Sequence, residues 1–188
     1  VITYNRNGTL SFSKNATIDV MRAAKALYGT PTGRTQLRRM DQSDIKVKLS
    51  ISPESKTGRT AGGKLTQIYG EATQGNFNES DNYARKVNPD GTYGITEASI
   101  IIYEGTIKGQ LEQGQGKHQG LTLEQAIGAV VAHEGVHATD KSEIHKDIKE
   151  EMTKYQFRED REVKPNADER QIMKEYKILN KSRWWIDF

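Results

Sequence analysis

Leu121–Asp140 reads LTLEQAIGAVVAHEGVHATD. Leu123, Ala126, Ile127, Val130 and Val131 recur at helical spacing, and Thr122 with Gln125 forms a capping-box pattern at the start. The spacing therefore predicts a buried helix that runs into His133-Glu134-Gly135-Val136-His137. Side chains four apart lie one above the other on a helix, so both imidazoles leave the same face and can reach one zinc ion. Glu134, one step round from His133, is then placed to polarise a water in the metal's open position. A random arrangement of the same residues would give this pattern in about one chain in 150. Two such histidines on a buried helix would cost several kcal/mol if they had no partner.

A catalytic zinc site keeps three protein ligands and one open position, so a third residue is needed. The chain has no cysteine, which leaves His and carboxylate as donors. A continuation of the form HExxHxxGxxH would require Gly at position 140 and His at 143, and the sequence has Asp140 and Glu143 there. The ligand must come from further downstream, where Glu162 and Glu169 are the leading candidates and Glu159 stands behind them. In so acidic a stretch any one of them is by default a solvated charge, and spacing does not choose between them. Asp140 shares the face of the two histidines; it is read either as an acceptor orienting an imidazole or as the end of the helix. Donors for an oxyanion are Tyr155, Tyr176 and Arg161. His118 and His145 are read as surface residues.

Working outward, residues 1–14 alternate around Asn7-Gly8 as a short hairpin. From Thr17 the spacing is helical up to Gly29-Thr30-Pro31, and a second helix is expected over 34–40. Arg34, Arg38 and Arg39 on it are read as a solvated basic flank rather than a phosphate-binding face. Ile45, Val47, Leu49 and Ile51 alternate as a half-buried strand. GRTAGGK (58–64) fits the first seven places of a phosphate-binding loop, but Leu65 replaces the hydroxyl residue that would hold magnesium, so the stretch is read as a hairpin turn. Residues 73–91 read as a polar surface loop, ASIIIY (98–103) as a strand that is either the rim of a cleft or simple core, and 105–120 as a flexible connection. After the motif, 142–154 reads as a charged helix with Ile144, Ile148 and Met152 inward, and 166–179 as a last helix.

A length of 188 residues suits one domain, divided into a hairpin or linker at 1–15, helices and sheet at 16–120, and a metal-binding helical part at 121–188. Hydrophobic residues make up 34% and mean hydropathy is −0.79, so a modest core with long polar loops is expected. Twenty-eight basic and 25 acidic residues nearly cancel to a net charge of +3, which does not point to nucleic acid or an anionic membrane. No apolar run is long enough to span a bilayer. The chain opens at Val1 and not at methionine, from which a processed piece of a longer protein is expected.

The HExxH helix is the arrangement of the zincin metallopeptidases, and a glutamate from a later segment suits their gluzincin branch. HEGVHATD (133–140), Glu162-Val163-Lys164-Pro165 and the upstream YGTPTGRTQL (28–37) together resemble the small metallopeptidase toxin domains at the C-terminal ends of bacterial polymorphic toxins, Rhs-type proteins included. The resemblance implies an α+β, zincin-like fold in which a small mixed sheet packs on the HExxH helix and the C-terminal part is helical. It implies that Glu162 is the third zinc ligand, with Glu134 as general base of a zinc endopeptidase. It implies secretion or delivery into the cytoplasm of a target cell, a protein or peptide substrate, and a cognate immunity protein. Two other readings are a catalytically silent zincin-like module binding a partner, for which Trp184-Trp185 would serve, and a nucleic-acid-acting toxin using the arginines of 34–39.

Overall fold

The computed structural model describes residues 2–60, 62–75, 77, 78, 81, 82, 85–154 and 159–183. A hairpin of β1 (Ile2–Tyr4) and β2 (Leu10–Phe12) leads into α1 (Ile18–Tyr28) and α2 (Pro31–Asp41). Next come β3 (Lys46–Ser52), the hairpin β4 (Lys56–Arg59) with β5 (Leu65–Ile68), and β6 (Gly70–Gln74). Two short hairpins follow, β7 (Phe77–Asn78) with β8 (Asp81–Asn82) and β9 (Arg85–Val87) with β10 (Tyr93–Ile95). Then come β11 (Glu97–Tyr103) and four helices, α3 (Glu104–Glu112), α4 (Leu123–Thr139), α5 (Lys141–Lys154) and α6 (Val163–Arg183). The class is α+β, as expected.

The central element is α4. The Thr122 hydroxyl accepts the Gln125 N–H at 3.2 Å while the Gln125 carbonyl accepts the Thr122 N–H at 3.0 Å, so the capping box forms from both sides. Thirteen of the helix's seventeen residues are buried. A helix apolar on all sides has to be enclosed on all sides, and α4 packs against α1, α2, α6 and the strands β6 and β11.

The sheet it rests on has the order β3-β11-β6, with β11 parallel to β3 and antiparallel to β6. Ile100 stands opposite Leu49 on one side and Ala72 on the other. Alternation then puts Ala98, Ile100 and Ile102 of β11, all buried, on one face with Val47, Leu49 and Ile51 of β3 and Gly70, Ala72 and Gln74 of β6.

Several expectations shift. Of the two readings of the strand at 98–103 the core one holds, because both of its edges are paired; β6 and β3 are the outer strands. The connection read as flexible at 105–120 begins with α3, and the loop read at 73–91 contains the end of β6, the short β7–β8 hairpin and β9. Helix α2 starts at Pro31, whose missing N–H costs nothing in a first turn, with Thr30 accepting the Gly33 N–H as cap. Proline at the third position of α6 likewise lets that helix begin at Val163 and not at 166. Met152, expected inward, is 45% exposed. The GRTAGGK stretch belongs to the β4–β5 hairpin, as read.

The burial of α4 makes a direct prediction for stability. Ile127 is fully buried and Ile18 is 71% exposed. Ile127→Ala should lower the unfolding free energy in urea by roughly 2–5 kcal/mol, whereas Ile18→Ala should change it by about 0.5 kcal/mol or less.

Candidate metal centre

Helix α4 carries His133, Glu134 and His137 in its last turns, and the turn at 159–162 brings Glu162 to them immediately before α6. His137 and Glu134 are buried, and the His133 side chain is 12% exposed. One Glu162 oxygen lies 3.0 Å from His133 Nε2 and the other 3.3 Å from His137 Nε2. The imidazole rings are 5.3 Å apart at 62°. Glu162 also sits at the positive end of α6, where a carboxylate is favoured, and its carbonyl accepts the Asn166 N–H.

Two turns further along the same helix, Glu169 is 1% exposed and takes the opposite side of His133, with Oε2 3.2 Å from Nδ1. The two glutamates that sequence spacing could not separate are therefore placed differently. Glu162 meets both Nε2 atoms, and Glu169 meets the back of one ring. His118 Nε2 lies 2.9 Å from Glu169 Oε1, and Lys117 Nζ lies 2.7 Å from its Oε2.

Charge in the cluster follows from these contacts. Burial works against a charged His133, but the carboxylates of Glu162 and Glu169 beside it overcome this and raise its pKa to about 9. The His133 and His137 imidazoles hold the Glu162 carboxyl far below the usual carboxylate range. For Glu169 burial again opposes the charge, and the bonds from His118, His133 and Lys117 prevail in lowering its pKa. Glu134 goes the other way: burial pushes its carboxyl up, against the pull of the two histidines.

These residues line a cavity of about 750 Å³ whose far wall is residues 66–73, including the outer strand β6. The close approach of β6 to α4 depends on Gly70. A methyl group there would stand 2.8 Å from Val130 Cγ1 and 2.9 Å from Glu134 Cγ, so any larger residue would push on the Glu134 side chain. Gln74, at the other end of β6, donates to the His137 carbonyl at 2.9 Å and to Asp147 at 3.1 Å, tying strand, helix and α5 together.

The donor set fits zinc. One atom from each of His133, His137 and Glu162 lies within 4.8 Å of the others, the donors are two nitrogens and one oxygen, and the cluster opens on the cavity. Glu169 Oε2 lies 3.2 Å from the second nitrogen of His133, where zinc-bound imidazoles commonly have a carboxylate, as an ion-pair contact outside hydrogen-bond geometry. Among the described residues neither His133 Nδ1 nor His137 Nδ1 has a hydrogen-bond partner.

Other expected site residues lie elsewhere. Asp140 ends α4 and starts α5, where its side chain accepts the Glu143 N–H at 3.2 Å, and it pairs with Lys164 at 2.5 Å and Arg39 at 3.5 Å. Of its two readings the helix-end one holds, because its charge is directed to cations and not to an imidazole. Arg161 lines the cavity with its Nε 3.3 Å from Asp147. Tyr176 is 4% exposed and packed against Gly29, away from the cavity, with burial first and Glu175 second pushing its hydroxyl up to about 12. Glu159 is exposed. Tyr155, Trp184 and Trp185 fall outside the described residues.

His118, read as a surface residue, is 2% exposed because α3 returns its loop against Tyr69 and Glu169. His145 stacks on Tyr93 and its Nδ1 accepts the Tyr93 N–H at 2.9 Å. The arginines of α2 are not a free flank. Arg34 bonds the Tyr28 carbonyl, Arg38 lies over the Tyr4 ring, and Arg39 reaches Asp140 and Asp168. Sequence reading missed Gly70, Gln74, Lys117 and Asn166 as neighbours of the cluster; none belongs to a motif, and only the pairing of β6 with β11 brings the first two there. No helix among the described residues is long and apolar enough to cross a membrane.

No protein-family model, curated protein or solved structure matches this chain.

The raised pKa of His133 fixes a pH dependence. A histidine whose folded pKa is about 9, against 6.5 when free, contributes stability that is fully present below about pH 6.5 and lost as pH rises through 9. In chelator-stripped protein, urea unfolding should show wild type losing more stability between pH 6.5 and 9.5 than His133→Gln does over the same interval.

Proposed function

We propose that this chain is a zinc-dependent endopeptidase of zincin type. The observation that carries the reading is the meeting of His133, His137 and Glu162 on one wall of a cleft, with buried Glu134 between them and, opposite, a strand edge that is unpaired among the described residues. When bound, zinc supplies Lewis acidity that lowers the pKa of a water towards neutrality and polarises a substrate carbonyl.

The protein's own groups do the rest. Glu134 accepts a proton from the attacking water and returns it to the leaving amine nitrogen. Its upward-shifted pKa suits both halves of that exchange better than an ordinary glutamate's would. Strand β6 orients the substrate. Tyr103 N–H bonds the Tyr69 carbonyl and Gly75 N–H bonds the Glu97 carbonyl, which makes Gly70, Ala72 and Gln74 the residues not hydrogen-bonded to β11. Their N–H and C=O groups point outward from the sheet, and an extended peptide can pair with them as an added strand.

The likeness of 133–140, 162–165 and 28–37 to polymorphic-toxin metallopeptidase domains supports a narrower reading. On it the substrate is a protein of a target cell into which the chain is delivered as part of a larger protein, and an immunity protein of the producing cell neutralises it. A cleft of this size, with its strand edge open, offers such an inhibitor an obvious surface to cover.

The test is cleavage of an unbiased peptide library with and without a zinc chelator. Wild type should cleave, the chelator should abolish cleavage, and added zinc should restore it. Glu134→Gln should retain zinc and lose roughly two or more decades of activity, the scale of a general base. A zinc-loaded Glu134→Gln protein with full activity would remove Glu134 from the mechanism. A wild-type protein that holds zinc and cleaves nothing would favour the silent binding module.

A further inference from the structure

We infer that His118 is a positioning residue for the metal centre, acting on His133 through Glu169, and that it locks the α3–α4 connection to the wall of the cleft. The inference rests on the zinc reading above and goes beyond its ligands and base.

Glu169 is 1% exposed, so its carboxylate is held by the groups that touch it and not by water. One oxygen is taken by His118 Nε2 at 2.9 Å. The other is shared by Lys117 Nζ at 2.7 Å and His133 Nδ1 at 3.2 Å. A buried carboxylate with a donor on each oxygen cannot rotate without breaking one of them. The donor on Oε1 therefore decides whether Oε2 stays opposite His133. With Oε2 in place behind Nδ1, the ring favours its hydrogen on Nδ1 once a metal replaces the proton on Nε2, the nitrogen that faces Glu162.

His118 has no other polar work. It is 2% exposed, and its Nδ1 has no hydrogen-bond partner among the described residues. Its ring is held by packing, edge-on to Tyr69 at 4.9 Å between centroids. Lys117 lies over the same Tyr69 ring at 5.4 Å. Gly116, with φ +81°, brings the backbone so close that a methyl group there would stand 2.9 Å from the Tyr69 hydroxyl. Three successive residues thus clasp Tyr69, the residue just before β6, while two of them grip Glu169. The clasp joins the strand side of the cleft to α6, the helix that carries Glu169.

The experiment is zinc affinity by competition with a chelating indicator on wild type, His118→Phe, His118→Gln and Glu169→Gln, with thermal unfolding of each stripped protein alongside. Phenylalanine keeps the packing on Tyr69 and cannot donate; glutamine can donate. His118→Phe should weaken zinc binding roughly 10- to 100-fold, the range for groups behind a ligand, and His118→Gln should recover much of that loss. In the Glu169→Gln background His118→Phe should add less than about a twofold further loss, since its effect passes through that carboxylate. A merely structural role would lower the unfolding temperature of stripped His118→Phe and leave zinc affinity untouched. Folded His118→Phe with wild-type zinc affinity overturns the inference, and His118→Leu decides by the same criterion if the phenylalanine variant does not fold. Wild-type protein that binds no zinc overturns the reading beneath it instead.

Discussion

A nearly fully buried helix that ends in two imidazoles and a carboxylate is unfavourable by itself, and the contact between α4 and α6 is what makes it tolerable. Helix α4 is apolar enough to serve as the centre of the core, yet His133, Glu134 and His137 lie on it close to the apolar interior. Helix α6 answers with two glutamates on the side it turns to α4, one before its first turn and one two turns later. Glu162 reaches both Nε2 atoms and Glu169 reaches the remaining nitrogen of His133. The same contact that satisfies the polar end of the helix also collects the donors of a metal site, so folding and the proposed chemistry depend on one interface.

Around that interface the structure spends further polar groups on fixing positions. Asp140 gathers Lys164, Arg39 and the Glu143 N–H at the α4–α5 junction, which sets where the helix stops. Arg22 bridges Glu104 and Glu124, tying α1 to the starts of α3 and α4. Thr32 gives its N–H and hydroxyl to Glu175, which tethers α2 to α6. Exposed ion pairs are worth little to stability one by one. These span different elements, and their effect is to hold α4 and α6 in a single relative register.

The sequence carried the helix and its histidines because both are local: a capping box, a 3.6-residue apolar repeat and a four-residue spacing are all readable within twenty residues. The order of strands is not local. Nothing within 70–74 announces that it will pair on the outside of 98–103, and so the pattern of 98–103 alone leaves rim and core readings equal. Glu162 and Glu169 stand seven residues apart, about two helical turns, and so face one side; spacing cannot say which meets Nε2 and which meets Nδ1. His118 was misread because its glycine-rich surroundings suggest a loose loop, whereas those glycines let the loop close on Tyr69. The arginines of 34–39 show what a charge run leaves out: Arg38 is exposed, as a solvated flank would be, while half-buried Arg34 and Arg39 have partners in Tyr28, Asp140 and Asp168 that only the tertiary structure reveals.

The central claim is that two imidazoles of α4 and one carboxylate from the start of α6 hold a single zinc ion. Zinc K-edge X-ray absorption on the purified, zinc-loaded protein tests it most directly. The account predicts about one zinc per chain, with scattering from two imidazole rings and the remaining first-sphere atoms oxygen, at about 2.0–2.2 Å. Zinc bound through one imidazole or none, or no stoichiometric zinc at all, would contradict it.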